Sequence, residues 1–343
     1  MAGVSSDLVD WHVIHLDQGV ELFHQNEFES ALVEFDMALQ LYDGPYARFD
    51  RSLTLLALGR YPEGFADYRT CWQIYRNELT ERGKLLYFYD RHPVWKGEPG
   101  VPVTILHEAG YGDGLQMMRY VPMVQAIASS VQLEMPEPLK RLASQLAPIV
   151  ETDDVDGYVV PWFDLMTVLN QTTATIPPPP YLRPDPRLCE KWAQKIGNGG
   201  RRRIGICWST KFDGNSEPLP ARRPIPLDQF LELLPIDGEL ISLQIQERAE
   251  ATARGIHVPG YKDFADVAAV ASLCDAIVSI DSAALHLAGA MDHPAVYGLL
   301  PRAATWRWWG SPNPWYPRIR LCQQSSPGDW SAAFAQIGRS SHS

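Results

Sequence analysis

Short apolar runs alternate with stretches of helical spacing through residues 202–300, and few folds accommodate such a pattern. The apolar runs read RRIGICW, ELISLQI, DAIVSI and AVYGLL, and they begin at residues 202, 239, 275 and 295. The helical stretches between them cover residues 226–234, 264–274 and 282–291. Strands that are apolar on both faces occur in parallel sheets covered by helices on both sides. The pattern therefore predicts a Rossmann-like α/β domain.

The preceding part of the chain carries a shorter version of the same alternation. VPVTILH (101–107) and VQLEM (131–135) have the composition of strands, and residues 112–129 have helical spacing with a break near Pro122. Between the halves, TIPPPPYLRPDP (175–186) contains four consecutive prolines, which favour an extended linker over helix or central strand. The chain of 343 residues also exceeds what one hydrophobic core usually serves. We therefore predict two Rossmann-like domains around a linker.

Residues 19–39 and 52–72 align with each other at an offset of 33 residues. Apolar or small residues recur in both segments at helical spacing, and a turn residue falls where two helices would meet. The matched pairs are Leu22 and Leu55, Asn26 and Gly59, Phe28 and Tyr61, Ala31 and Gly64, and Phe35 and Tyr68. Each segment is therefore predicted to form a helix, a turn and a second helix.

Composition limits the partners and the compartment. With 30 Lys or Arg against 41 Asp or Glu, the net charge of −11 disfavours a general nucleic-acid or anionic-membrane binder and leaves room for a local basic pocket. The five cysteines are odd in number, widely spread and without a C-x-x-C pair, so neither a disulfide framework nor a zinc site is indicated. The first residues lack a signal-peptide pattern and no stretch reaches the length of a membrane span, so we expect a cytoplasmic protein.

The segment SIDSAALHLAGA (279–290) follows a predicted strand and begins a predicted helix. Asp281 closes the strand, Ser282 can cap the helix, and Ala283 and Ala284 leave its first turn open to a phosphate group, with His286 nearby. The same residues would also fit a capped helix that only packs on a sheet. Its position at the carboxyl end of a strand, opposite a second cleft segment, favours the seat for a diphosphate.

That second segment is the glycine-rich turn HEAGYGDGLQMMRYVP (107–122), between the first strand and helix of the preceding half. Gly110, Gly112 and Gly114 permit positive φ and close approach of a substrate, although such turns also occur for packing alone. Asp113 at the turn would repel a pyrophosphate. It is therefore better suited to act as a base than to hold a phosphate.

Two aromatic features leave alternatives open. Trp208 ends a predicted strand at the cleft, where it could stack on a nucleotide base or belong to the core. The run WRWWGSPNPWYP (306–317) is either a loop that lines the cleft or a plug between domains, and we favour the plug.

Several motifs carry a resemblance to known families. The turns LGRY (58–61) and QNEF (25–28) resemble the turn of the tetratricopeptide repeat. GYGDGLQMMRYVP (110–122), ISLQ (241–244), DSAALHLAGA (281–290) and WRWWGSPNPWYPRIRLCQQ (306–324) resemble motifs of bacterial tetratricopeptide-repeat glycosyltransferases. Those enzymes share the GT-B fold with lipopolysaccharide heptosyltransferases and, more distantly, with O-linked N-acetylglucosamine transferases.

The resemblance implies a nucleotide-sugar donor in the last domain, with its diphosphate at the backbone of residues 282–285. Asp113 would act as the base that deprotonates an acceptor hydroxyl, and basic side chains would replace a metal at the leaving diphosphate. No cofactor beyond the donor substrate is implied. The donor-binding residues would be Trp208, Lys211, Arg222, Arg223, Gln244, Asp281, Ser282, Ala283, Ala284, Leu285 and His286, with Arg307 a weaker candidate.

The implied fold is α/β, a GT-B-like pair of Rossmann-like domains at residues 86–180 and 181–343, after a short all-α tetratricopeptide-repeat domain at residues 1–85. The implied function is that of an inverting, metal-independent hexosyl- or heptosyltransferase, and a protein bound by the repeats is one candidate carrier of the acceptor hydroxyl. The alternative is an inactive GT-B-fold scaffold that holds a protein partner. Gly114, where the family has Thr, and Ile245, where it often has Lys, favour the alternative, whereas the retained Asp113 and the segment 281–286 favour the transferase. A Rossmann oxidoreductase fits poorly because no G-x-G-x-x-G turn precedes an acidic residue at the required distance.

Overall fold

The computed structural model describes residues 6–69, 87–197, 200–210, 219–245 and 249–337. It begins with four helices, α1 (Ser6–His24), α2 (Phe28–Leu41), α3 (Pro45–Ala57) and α4 (Tyr61–Tyr68). Asn26 and Gly59, the matched residues of the two aligned segments, both have positive φ at the turns, 66° and 75°. A residue in this region reverses the chain after a helix. The two predicted helix–turn–helix units are therefore present.

The next part of the chain forms a four-stranded parallel sheet with the order β3-β2-β1-β4. Its strands are β1 (Pro102–Leu106), β2 (Ser130–Glu134), β3 (Ile149–Val150) and β4 (Tyr158–Pro161). The helices around it are α5 (Tyr111–Met117), α6 (Val121–Gln125), α7 (Glu137–Ala143) and α8 (Asp164–Val168), with 3-10 turns at Met118–Tyr120 and Thr152–Asp154. The break predicted near Pro122 is the 3-10 turn between α5 and α6.

The last part forms a five-stranded parallel sheet with the order β6-β5-β7-β8-β9. Its strands are β5 (Arg203–Cys207), β6 (Glu239–Ser242), β7 (Ala276–Ile280), β8 (Val296–Leu300) and β9 (Arg320–Gln323). Its helices are α9 (Pro186–Ile196), α10 (Leu227–Leu233), α11 (Ala249–Ala253), α12 (Phe264–Ala271), α13 (Ala283–Ala290) and α14 (Ser331–Phe334). Two 3-10 turns lie at Leu219–Ala221 and Trp306–Trp308. The predicted pair of parallel α/β units is confirmed.

The two α/β halves are joined by buried polar contacts as well as by apolar packing. One continuous apolar core contains the β1 side chain Ile105, residues of α5, and the buried faces of α12 and α13. Arg141 of α7 donates to Asp263 and Asp266 at the start of α12, both at 2.7 Å. Arg119 is 1% exposed and donates to the backbone carbonyl of Trp315 at 3.1 Å. Specific polar contacts therefore connect the two halves.

The aromatic run 306–317 packs between the N-terminal helices and the α/β halves. Trp315 Nε1 donates to the Tyr61 hydroxyl of α4 at 2.9 Å, and the Phe65 ring contacts Trp306 edge to face. Trp309 meets the ring of Phe28 in α2 in the same way. The favoured interpretation of this run as a plug is correct for Trp306, Trp309 and Trp315.

Some short elements were not predicted. In the first sheet, β3 has two residues and β4 has four. In the second sheet, β9 also has four. Runs of that length carry too few apolar residues to show a period. Helix α9 directly follows the prolines of the linker, and Pro186 occupies its first turn, where a missing N–H is tolerated.

Candidate functional site

The carboxyl ends of the strands of the second sheet face the start of α5 across a cavity of about 490 Å³. One wall is formed by residues 109–113, which follow β1, and the other by the segments after β5, β6, β7 and β8. The sequence-predicted residues that line this cleft are Gly110, Gly112, Asp113, Arg223, Gln244, Asp281, Ser282, Ala283, Ala284, His286 and Arg307. The structure thus brings together both segments that the sequence singled out.

The start of α13 presents backbone N–H groups to the cleft. Ser282 has extended backbone, φ −156° and ψ 169°, and its carbonyl accepts from the N–H groups of Leu285 at 3.0 Å and His286 at 3.2 Å. The earlier N–H groups of a helix have no intrahelical partner, and here they belong to Ala283 and Ala284, which line the cavity. Their small side chains leave the approach open, so an anion can reach the backbone.

Gln244 follows β6 and lines the same space. Its side-chain oxygen accepts from the backbone N–H groups of Trp208 at 3.1 Å and Ser209 at 2.9 Å, which fixes the orientation of the amide. The amide nitrogen Nε2 is buried and has no partner among the described residues. Since Gln244 lines the cleft and a buried unpaired donor is costly, a ligand acceptor at this point would be stabilising.

Asp281 lies just before α13 and His286 lies near its start, and both side chains are almost fully buried. Burial raises the pKa of the Asp281 carboxyl above its ordinary value, and the nearby charge of Arg223 acts in the opposite direction. Burial, followed by the positive charges of Arg307, Arg119 and Arg223, holds the pKa of His286 well below its ordinary value of 6.5. His286 is therefore neutral at neutral pH, and its Nδ1 hydrogen bonds with the Tyr316 hydroxyl at 3.0 Å.

Asp113 is held by two donors. One carboxylate oxygen accepts from the backbone N–H of Gly110 at 2.8 Å, and the other pairs with Nη2 of Arg307 from the opposite half. Arg307 Nε also donates to the side-chain oxygen of Gln116 at 2.9 Å. The ion pair spans the cleft and connects the turn after β1 to the segment after β8.

The glycines of the turn serve a purpose different from the predicted one. Gly110, Gly112 and Gly114 do not have positive φ, and the left-handed residue of this turn is Ala109, with φ 63°. A Cβ on Gly112 would lie 2.7 Å from Cδ2 of His286, and one on Gly114 would lie 2.9 Å from Cδ2 of His107. These glycines are required by close packing of α5 against its neighbours, and Gly114 does not line the cleft.

Three predicted donor residues have other positions, and a fourth lies outside the described residues. Trp208 is 1% exposed, belongs to the core beneath β5 and, with Arg222, borders a second cavity of about 590 Å³. The Leu285 side chain is fully buried, so this residue contributes only its backbone to the start of α13. Lys211 lies outside the described residues. Of the predicted cations that the structure describes, Arg223 is the one that lines the cleft with the α13 seat, together with the weaker candidate Arg307.

Sequence reasoning gave little weight to the residues after β8. Thr305 donates its hydroxyl to Asp281 at 3.4 Å, and Arg307 reaches Asp113, so one short turn touches both halves. In the sequence, Arg307 is the one charged residue of the aromatic run 306–309. A cation buried among aromatic rings needs a carboxylate partner, and this requirement could have identified Arg307.

No cluster of three or more His, Cys, Asp or Glu side chains suited to a metal ion occurs in residues 6–69, 87–197, 200–210, 219–245 and 249–337. Within the same ranges no helix is both long and apolar enough to cross a membrane.

The two parallel sheets meet at a cleft, and one wall of this cleft carries a helix start, an arginine and an unpaired amide, so the chain is an α/β protein with a polar cleft between its halves. Residues 239–319 match the model of glycosyltransferase family 9 (heptosyltransferase). This segment contains Gln244, Asp281, His286 and Arg307, so the match covers the part of one cleft wall that follows β6, β7 and β8. The match supports an enzyme of the glycosyltransferase class.

Two known proteins are similar over larger parts of the chain. Protein FlbA of Caulobacter vibrioides (strain ATCC 19089 / CIP 103742 / CB 15) is 24% identical over 360 residues, an alignment that covers 91% of this chain. This chain spans 58% of the length of that relative. The crystal structure of the glycosyl transferase family 9 from Veillonella parvula DSM 2008 aligns with a TM-score of 0.48 and 9% identity, over 70% of this chain and 91% of that chain.

Proposed function

We propose that the chain is a glycosyltransferase that binds a nucleoside-diphosphate sugar in the cleft. The observation that carries the proposal is the convergence of three donors of positive potential on one wall. They are the open N–H groups at Ala283 and Ala284, the Arg223 side chain, and the unpaired Nε2 of Gln244. A diphosphate is the part of a sugar nucleotide that such a wall would bind best.

The same donors would stabilise the leaving diphosphate during transfer. As the bond between the anomeric carbon and the phosphate oxygen breaks, negative charge increases on the nucleotide, and fixed N–H dipoles with an arginine lower the energy of that charge. We infer that no metal ion is needed for this step. The GT-B architecture is part of the proposal, with the two parallel sheets as its two domains.

Asp113 is the proposed base. As the acceptor oxygen attacks the anomeric carbon, its proton passes to the Asp113 carboxylate, and the electron pair of the broken bond leaves with the nucleoside diphosphate. Attack from the face opposite the leaving group gives inversion. Asp113 and the α13 seat face each other across the cleft, as such a displacement requires.

The ion pair with Arg307 adds a condition to this mechanism. A carboxylate that is paired with a guanidinium is a poor base, because the pair stabilises its charged form. Arg307 lines the cleft, so a bound diphosphate would attract it away from Asp113. We therefore propose that donor binding frees Asp113 for the acceptor.

A second candidate is a scaffold that binds a partner and transfers no sugar. The contacts of Asp113 with Arg307 and Gly110 favour it, because each of the two carboxylate oxygens already accepts a hydrogen bond. Under either proposal the N-terminal helices are tetratricopeptide repeats that bind a protein, which for the enzyme would be the acceptor.

A panel of UDP, GDP, ADP, CDP and TDP, followed by the sugar nucleotides of the base that binds, tests the proposal. A ligand at about 100 times its Kd adds about 2.7 kcal/mol to the free energy of unfolding, so the melting temperature should rise for at least one nucleotide. Release of free nucleotide from the matching sugar nucleotide would identify the enzyme, and binding without release would identify the scaffold. No shift with any nucleotide would contradict the donor site and leave the scaffold as the remaining candidate.

A further inference from the structure

Exposed apolar side chains are concentrated in the first two helices. Nine large apolar side chains are well exposed in the described part of the chain, and seven of them lie within residues 11–46. They are Trp11, Val13, Ile14, Val33, Met37, Tyr42 and Tyr46. Trp11 is 55% exposed and Met37 is 41% exposed. The outer side of a helical array normally carries polar residues where nothing covers it, so this concentration indicates a covered surface.

Helical spacing and contacts place part of this set on one face. Trp11, His15 and Gln18 follow each other along α1 at intervals of four and three residues, and the Trp11 and His15 rings are 6.1 Å apart. Glu27, Ser30, Glu34 and Met37 follow each other in and before α2 at intervals of three, four and three. These two rows of residues form the α1–α2 outer face.

Two hydrogen bonds fix how the rows meet. His15 Nδ1 bonds to Glu34 Oε2 at 2.7 Å, and His12 Nδ1 bonds to the Ala38 carbonyl at 2.9 Å. Trp11 and Met37 therefore lie at one end of the face, and Glu27 lies at the other. The next helix, α3, packs from the other side of α2, because Arg51 of α3 donates to Asp36 at 2.7 Å.

Charge is distributed as unevenly as exposure. The first 47 residues contain nine Asp or Glu and no Lys or Arg. The α1–α2 outer face is thus apolar at one end and acidic at the other, with Glu21 and Glu27 exposed near the acidic end. A second copy of this chain would bring acidic residues against acidic residues, and an anionic membrane would be repelled.

We propose that the α1–α2 outer face binds an amphipathic helix of another protein, with large apolar residues at one end and Lys or Arg at the other. The apolar residues cover Trp11 and Met37, and the basic residues pair with Glu21 and Glu27. Such recognition is common: the apolar face of the bound helix packs against two helices, and its charged end sets its direction. This interaction does not depend on sugar transfer or on nucleotide binding.

The probe is a pair of synthetic peptides of about 18 residues, long enough for five helical turns. One has a Leu stripe with Lys at one end, and the other has Glu in place of each Lys. Fluorescence anisotropy with the full chain should show binding of the basic peptide at about 100 µM or below, weakened by added salt, and no binding of the acidic peptide. Equal binding of both peptides, or none of the basic peptide, overturns the proposal.

Two variants locate the contact. Trp11→Ser with Met37→Ser should weaken binding of the basic peptide by roughly tenfold or more, because buried aromatic anchors dominate such interfaces. Glu21→Lys with Glu27→Lys should reverse the preference, so that the acidic peptide binds and the basic peptide does not. Leu219→Ser, at a side chain 51% exposed in the second half, and Asp153→Lys with Asp154→Lys are the matched controls, with no change expected.

Light scattering decides between a partner and a second copy. The wild-type chain should remain monomeric over the concentrations used for peptide binding. A dimer that the Trp11→Ser and Met37→Ser variant loses would show that a second copy covers the face and would overturn the proposal. Both double variants change exposed side chains, so unchanged melting temperatures confirm that a lost interaction is not lost folding.

Discussion

Asp113 and Arg307 meet across the cleft although 194 residues separate them in the chain. Their side chains are 19% and 14% exposed, so the pair is shielded from solvent and is worth more than a surface salt bridge. Arg307 is also held by Gln116 and lies 4.3 Å from the centre of the Trp306 ring. At this residue pair, the position of the proposed base depends on a side chain of the opposite half.

Replacement of Asp113 by Asn should separate catalysis from donor binding. Asn keeps the size of the side chain and loses the capacity to take a proton, so sugar transfer should fall by about 10²-fold or more. Nucleotide binding should be retained or become tighter, because Arg307 no longer has to leave an anionic partner. The measurements are initial rates of transfer and calorimetric nucleotide titration on the same variant. Equal loss of transfer and binding would mean that Asp113 is structural.

His286 should make stability depend on pH on the acid side. Below about pH 6.5 the unfolded chain protonates this imidazole, whereas burial keeps its pKa in the folded protein well below 6.5. The unfolded state then binds more protons, so the free energy of unfolding falls as the pH decreases from 6.5 toward the folded pKa.

Urea unfolding of wild type and His286→Gln at pH 7.5 and pH 5.5 tests this. The variant should lose less stability than wild type between the two pH values, although some loss remains because burial also lowers the pKa of His293 and His24. The same loss in both proteins would contradict the assignment of His286 as a neutral buried imidazole.

Helices α5 and α13 approach each other closely at the cleft because Gly112 has no side chain. A Cβ at this position would lie 2.7 Å from His286 Cδ2 and 3.6 Å from the Cα of Ala283. Gly112→Ala should therefore lower the free energy of unfolding by about 1–3 kcal/mol, the usual range for overpacking. Chemical denaturation measures it.

A double-mutant cycle controls for helix propensity. In the His286→Ala background the space opens, so Gly112→Ala should cost little and should even benefit from the better helix propensity of Ala. An equal cost of Gly112→Ala in both backgrounds would show that the two helices do not meet at this point.

The sequence predicted the strands and helices that have a clear hydrophobic period, and the loops between them. The strands ending at Leu106, Cys207 and Ile280 and the helix beginning at Ala283 were predicted to within a few residues because each is a continuous apolar or helical run. Position in the cleft was predictable for Asp113 and Asp281, since carboxyl ends of parallel strands share one edge.

Contacts across the halves were not predictable in the same way. Trp208 closes a strand as predicted, but alternation alone does not say on which side of the sheet its ring lies, and it packs into the core. Prediction of Arg307 as the partner of Asp113 would have required knowledge of how the two domains dock. Hydrophobic periodicity describes an element and its neighbours, whereas the ion pair with Arg307 is a property of the assembled chain.

Over the whole molecule, the aromatic run after β8 ties the N-terminal helices to the cleft. Trp315 is fully buried and donates to the Tyr61 hydroxyl, whose pKa burial raises to about 12. The run therefore contacts α4 through its tryptophans and Asp113 through Arg307.

Trp315→Phe should lower the free energy of unfolding through both a cavity and an unpaired Tyr61 hydroxyl, by about 3 kcal/mol or more in total. Adding Tyr61→Phe removes the unpaired group, so the double variant should be more stable than the sum of the single losses predicts. Urea unfolding of the four proteins measures the coupling, and strict additivity would contradict the hydrogen bond.

The central claim is that the start of α13 binds a diphosphate, and calorimetric titration of the nucleotide panel into Ala283→Asp tests it most directly. An acidic residue in the first turn of a helix favours the helix but repels a phosphate there, so folding should be unharmed and binding lost. Ala283→Asn has the same shape without the charge and should retain binding within about tenfold. Nucleotide binding that is undiminished in Ala283→Asp would contradict the claim.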